Sequence, residues 1–162
     1  MRITRLLAVF AIALAAVAFP GTAHAASITQ PFAADSGDAC PYGTTSGTLT
    51  WRFGTSSPLP LTAVDVKGKL ADRPLLADPG SFCRDDGFFS SVSFVAYAST
   101  VEIDRQSRAV NNGTVSFEFT LGRDSAAARI NRVVIQVCRS PIFTLPPSYC
   151  GKEVTFLVPP IA

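Results

Sequence analysis

The sequence predicts an all-β fold: a single-domain antiparallel β-sandwich of immunoglobulin-like or jelly-roll type, held by two disulfides. Three observations lead to this prediction. Short segments in which apolar and polar residues alternate recur along the chain, and no long segment has the period of an amphipathic helix. Turn-forming residues separate these segments. Four cysteines in a chain of 162 residues can form two bridges.

The first 25 residues have the features of a secretory signal peptide. Two arginines precede an uncharged apolar run at residues 6–19, and a small-x-small cleavage signal ends at Ala25. The apolar run is shorter than the roughly 18 residues of a typical membrane span. We therefore expect cleavage after Ala25, a β-sandwich domain at residues 26–162, and secretion to the extracellular space.

Removal of this segment brings the net charge to zero. All twelve acidic residues lie after position 25, whereas two of the fourteen basic residues lie before it. No excess positive charge then remains to attract nucleic acid or an anionic membrane, so we expect neither as a partner. The single histidine, His24, is also removed, which excludes histidine-based catalytic triads and imidazole metal ligands. We expect no catalytic, cofactor-binding or metal-binding residues.

The four cysteines, Cys40, Cys83, Cys138 and Cys150, allow three pairings. We favour Cys40–Cys83 and Cys138–Cys150, because the second pair closes a short loop that contains three prolines. An immunoglobulin analogy, in which Trp51 lies between the bonded cysteines, would instead join Cys40 to Cys138. A zinc site is disfavoured because the mature chain has no C-x-x-C spacing and no histidine.

The first half of the mature chain predicts two half-buried strands. Residues 26–36 are interpreted as a loose leader. Apolar and polar residues then alternate at residues 49–53 and again at residues 64–70, where Gly68 is suited to a β-bulge. The lysine and aspartate side of the second segment is interpreted as a solvated sheet face.

The second half predicts a hairpin at Asn112-Gly113, because both residues tolerate the positive φ of a type I′ turn. The hairpin would join a strand at residues 105–110 to a return strand at residues 114–121. Alternation in the return strand places Phe117 and Phe119 on the core face.

The most apolar strand is predicted at residues 132–138, and it leads into a proline-rich loop at residues 140–149. If the Cys138–Cys150 bond holds this loop, its apolar side chains form an exposed contact surface. The alternative is that they fold inward and cover one end of the core. The candidate contact residues are Pro141, Ile142, Phe143, Leu145 and Tyr149.

Six short segments resemble a group of small secreted actinobacterial proteins of unknown function. The resemblance covers nearly all of the mature chain. It implies secretion and a single β-rich domain, and it brings no activity and no site residues. The segments are Asp38-Ala-Cys-Pro-Tyr-Gly, Gly47-Thr-Leu-Thr-Trp-Arg, Ala71-Asp-Arg-Pro-Leu, Cys83-Arg-Asp-Asp-Gly, Val134-Ile-Gln-Val-Cys-Arg and Pro147-Ser-Tyr-Cys-Gly.

Two functions follow from these patterns. The first is a non-catalytic binding or surface-interaction module for a protein or a cell-surface ligand. The second is a secreted proteinase inhibitor that presents the loop at residues 140–149 as a preorganised segment. A glycosidase is disfavoured, since nothing in the sequence brings two carboxylates together.

Overall fold

A computed structural model describes residues 27–38, 40, 42–54, 61–73, 87–122, 129–143 and 146–160. The predicted signal segment, Cys83 and Leu145 lie outside these ranges. Within them the chain forms strands and no helix, as predicted. The strands are β1 (Ser27–Asp35), β2 (Gly43–Phe53), β3 (Leu61–Asp72), β4 (Phe88–Ala98), β5 (Val101–Val110), β6 (Gly113–Leu121), β7 (Arg132–Pro141), β8 (Tyr149–Cys150) and β9 (Val154–Leu157).

These strands form two antiparallel sheets that pack face to face, which confirms the predicted sandwich. The first sheet has the order β1-β2-β3-β6. The second has the order β5-β4-β7, and both β8 and β9 pair with the free side of β7. The first order differs from that of an immunoglobulin constant domain, in which the second strand pairs with the fifth.

The core lies between the sheets and is centred on Phe94 of β4, which is completely buried. Its ring centroid lies 5.5 Å from that of Phe32 and 5.3 Å from those of Phe117 and Phe119, each in an edge-to-face arrangement. Phe117 is buried, and Phe119 is partly buried against the same cluster. The predicted core face of β6 is therefore present.

The predicted loose leader is wrong, because Ser27–Asp35 forms β1 and pairs with β2 along its whole length. Phe32 anchors this strand with only 4% of its surface exposed. Its ring lies against the paired glycines Gly47 and Gly68. A β-carbon at Gly47 would clash with the carbonyl oxygen of Lys67 in β3 and lie 2.8 Å from Phe32 Cζ, so the glycine makes room for both the neighbouring strand and the ring.

The bulge predicted at Gly68 is also absent. Gly68 lies opposite Gly47 in a continuous ladder, and the register shift occurs instead between Arg52 and Phe53. A β-carbon at Gly68 would lie 2.9 Å from Phe32 Cζ and 3.1 Å from Phe117 Cε2. The carbonyl oxygen of Ser46 in the paired strand would lie closer still, at 2.6 Å. Close approach of the neighbouring strand and of aromatic rings, and not an extra residue in the ladder, explains this glycine.

The predicted hairpin at Asn112-Gly113 is a crossing between the two sheets. β5 pairs with β4 in one sheet, and β6 pairs with β3 in the other. Asn112 has the positive φ expected of the turn, 49°. Its backbone N–H donates to Asp72 Oδ2 at 2.9 Å, and Gly113 lies opposite Asp72 in the ladder. The contact with β3 thus directs the chain across the sandwich.

Candidate functional site

Several polar and aromatic side chains that do not belong to the main core lie together at one end of the sandwich. Here β1, β3, β5 and β7 end, and β2, β4 and β6 begin. We call this region the loop end, because the segment between β7 and β8 projects from it. The opposite end carries the turn between β4 and β5.

A buried ion pair lies at the centre of the loop end. Arg139 Nη1 donates to Asp72 Oδ1, and both side chains are 1% exposed. The hydroxyl of Ser90 donates to the same carboxylate oxygen at 2.8 Å and accepts from Arg139 Nη1 at 3.0 Å. The other oxygen, Oδ2, accepts the N–H of Asn112. Donors from three parts of the chain therefore compensate the desolvation of this carboxylate.

Aromatic rings surround the guanidinium group of Arg139. Its Cζ lies 4.9 Å from the ring centroid of Tyr42 and 5.9 Å from that of Phe88. The ring of Phe88 in turn contacts Tyr149, with 5.5 Å between the centroids. Such rings attract a cation electrostatically and keep water away from it. The ion pair is thus joined through Phe88 to the base of the loop.

The Tyr149 phenol is held between Asp38 and Arg139. Burial is the main cause that raises its pKa to about 12, and the hydrogen bond with Asp38 raises it further. The phenol is therefore protonated at neutral pH and can donate a hydrogen bond to Asp38. Tyr149 is 37% exposed, so part of this candidate contact residue reaches the surface and the rest is packed under the loop.

The predicted Cys138–Cys150 disulfide is confirmed and closes the base of the loop. The two cysteines lie opposite each other in the β7–β8 ladder, and Gly151 N donates to Val137 O at 2.9 Å just beyond them. The immunoglobulin analogy, which would join Cys40 to Cys138, is therefore wrong. Because Cys83 lies outside the described residues, the Cys40–Cys83 bond stays a prediction.

The loop presents two apolar side chains to solvent. Ile142 is 45% exposed and Phe143 is 79% exposed. A hydrogen bond attaches the loop to the sandwich directly before Phe143, because Ile142 N donates to the carbonyl of Gly87 at 2.9 Å. Pro141 is half-buried as the last residue of β7, opposite Phe88. Ile142 and Phe143 do not fold inward over the core.

Sequence reasoning missed the buried ion pair, although the strand alternation contains a signal for it. Val133, Ile135 and Val137 are buried, and Arg139 continues this series at the same spacing. Asp72 likewise follows the buried even positions of β3. A lone arginine and a lone aspartate at inward positions of different strands are candidates for a buried pair, because an unpaired charge there is costly.

The described residues contain no other arrangement with an evident chemistry. No three histidine, cysteine, aspartate or glutamate side chains in these ranges are placed to hold a metal ion. No helix long and apolar enough to cross a membrane occurs in them. The outer face of β2, β3 and β6 carries open grooves of about 540 and 370 Å³, lined mainly by serine, threonine, lysine and acidic side chains.

Comparisons of the chain with protein-family models, with curated proteins and with solved structures give no match. The resemblance to small secreted actinobacterial proteins stays a prediction.

Proposed function

We propose that the protein is a secreted, non-catalytic binding module and that the loop end is its contact surface. The observation that carries this proposal is the position of Phe143. A phenylalanine with 79% of its surface in water is held on a loop whose base is closed by a disulfide. The adjacent Ile142 is exposed as well, and contiguous exposed apolar groups often mark a site of protein association.

The anchoring of the loop supports a binding role. The disulfide, the Ile142–Gly87 hydrogen bond and the Tyr149–Phe88 contact restrain the segment on both sides of Phe143. Anchors that fix the two ends of a connecting segment reduce the conformational entropy it has to lose in a complex, which favours binding. The buried ion pair beneath it fixes the strands that carry these anchors.

Secretion is part of the same proposal. The apolar, uncharged segment at residues 6–19 and the cleavage signal support export, and a disulfide is typical of an oxidising compartment. The partner would be a protein or a cell-surface ligand. A nucleic acid or a membrane surface is not expected, since the mature chain carries no net charge.

Changing Phe143 to aspartate is expected to abolish partner capture and to leave the fold intact. The side chain is exposed, so the free energy of unfolding should change by no more than about 0.5 kcal/mol. A charge at the contact centre should remove most of the affinity. The measurement is capture of native culture-medium and cell-wall components on immobilised protein, together with the melting temperature.

Leu157→Asp is the matched control, because Leu157 is 65% exposed and lies towards the opposite end of the sandwich. This variant should capture the same partner as the original protein. The proposal is contradicted if Phe143→Asp still captures the partner, or if both variants lose it equally.

A further inference from the structure

We propose that the protein forms a two-fold symmetric dimer in which strand β6 of one copy pairs antiparallel with β6 of a second copy. The first sheets of the two copies then join into one continuous sheet. This dimer does not depend on the loop end, because its contacts come from β3 and β6 alone. Three observations support it: the open edge of β6, the compatibility of this strand with itself, and the charges on the outer face beside it.

The other edges of the sandwich are each protected against the addition of a strand. β1 has Pro31 at its centre, and proline has no N–H to donate to a new neighbour. β5 carries four charged side chains, and its pairing with β4 shifts register between Ala96 and Tyr97. The remaining edge is divided between β8 and β9, which have two and four residues. Proline, charge, irregularity and short length are the features that keep sheet edges from pairing.

The edge formed by β6 lacks this protection. The strand has nine residues, contains no proline and only one charged residue, Glu118, and pairs with β3 without a register shift. Within the ranges that the structure describes, β3 is its only neighbour in the sheet. An edge strand presents a row of backbone N–H and C=O groups on its unpaired side. This row is a template for one more strand.

A second copy of β6 fits this edge because the strand is compatible with itself. Residues paired across two strands share a face of the sheet, so the two-fold axis passes through a residue and not between two. An axis at Phe117, the middle residue of β6, pairs the whole strand. Val115 then lies opposite Phe119 of the second copy, an aliphatic–aromatic pair on the core side. On the outer face, Ser116 lies opposite Glu118.

The charges on the outer face favour the same register. Ser116 lies beside Lys69 of β3, and Glu118 lies beside Lys67, with 3.4 Å between Nζ and Oε2. Lys69 is exposed and has no acidic partner among the described residues. In the dimer, only the short Ser116 separates Lys69 from Glu118 of the second copy. Their backbones are two strand spacings apart, about 10 Å, which two long side chains of opposite charge can span.

The surface at this place has room for the incoming carboxylate. The open groove of about 540 Å³ on the outer face is lined by Lys67, Lys69, Ser116 and their neighbours. By symmetry the contact occurs twice, and each Glu118 comes to lie between two lysines. Because each copy uses its one β6 edge, the assembly closes at two copies. The paired strands run antiparallel, so the two loop ends face in opposite directions and one dimer can join two partner molecules.

The test exchanges the two charges and then mixes the products. The original protein should sediment as a dimer at micromolar concentration. Lys69→Glu places two acidic side chains in each contact and Glu118→Lys places two basic ones, so each variant alone should dimerise about tenfold more weakly. An equal mixture of the two variants should form a heterodimer about as tightly as the original protein pairs, because opposite charges then meet in both contacts. Melting temperatures verify that each variant is folded.

Lys152→Glu and Glu153→Lys are the matched controls, since both residues are exposed and lie between β8 and β9 at another edge. Neither should change dimerisation. In a second measurement, raising the protein concentration should slow hydrogen exchange at residues 113–121 and not in β1 or β5. The proposal is overturned if the protein remains a monomer throughout the micromolar range or forms larger oligomers, if mixing the variants restores nothing, if the controls weaken the dimer equally, or if the new protection lies in another strand.

Discussion

Asp72→Ala is expected to lower the free energy of unfolding by about 3–5 kcal/mol, because it leaves the buried guanidinium of Arg139 without its carboxylate. The N–H of Asn112 at the sheet crossing loses its acceptor as well. An uncompensated buried charge costs more than the loss of an ordinary hydrogen bond. Urea denaturation of the oxidised protein measures this change.

Two companion variants separate this effect from the loss of a carboxylate in general. Glu118→Ala removes the acidic partner of Lys67 from a pair whose side chains are 72% and 73% exposed, and should change stability by no more than about 1 kcal/mol. Adding Arg139→Met to Asp72→Ala removes the orphaned charge and should recover part of the loss. Equal losses for Asp72→Ala and Glu118→Ala would show that the ion pair at the loop end is not buried.

Phe94→Ala is expected to cost about 3–5 kcal/mol, since Phe94 is fully buried and its ring contacts three phenylalanines of the opposite sheet. The variant leaves a cavity at the centre of the sandwich. Phe143→Ala removes the same atoms from a residue that is 79% exposed and should change stability by about 0.5 kcal/mol or less. A loss below about 1 kcal/mol for Phe94→Ala would contradict the central position of its ring.

Most of the fold could be predicted because its strands alternate plainly. Leu49, Trp51 and Phe53 are all buried, as their spacing indicates. β1 was missed because Pro31 and the alanines that follow Phe32 have weak strand preference. This strand is determined by β2 and by the space above two glycines, which are properties of its partners and not of its own sequence.

The sheet crossing was missed for a different reason. Asn112-Gly113 supplies the positive φ that a hairpin needs, and a crossing between sheets has the same local requirement. The choice between them depends on Asp72, forty residues away along the chain, which accepts the N–H of Asn112. Local turn chemistry contains no information about that contact.

The contact loop could be predicted from the sequence, whereas the buried ion pair and the aromatic packing beneath it could not. Cysteine spacing and prolines predicted the Cys138–Cys150 loop, and the bond is present. The Arg139–Asp72 pair required knowledge of which strands face each other. Single charged residues of this kind are normally assigned to the surface. Tyr149 was expected at the surface, but its ring packs against Phe88 and its phenol lies between charged groups.

Photocrosslinking from position 143 tests the claim that the loop end is the contact surface most directly. Phe143 is replaced by benzoylphenylalanine in one protein and Leu157 in another; both residues are exposed, and they lie towards opposite ends of β7, a distance of about 30 Å. After irradiation in native culture medium, position 143 should give a covalent adduct with the partner and position 157 should give none. An adduct from position 157 alone, or equal adducts from both, would contradict the claim.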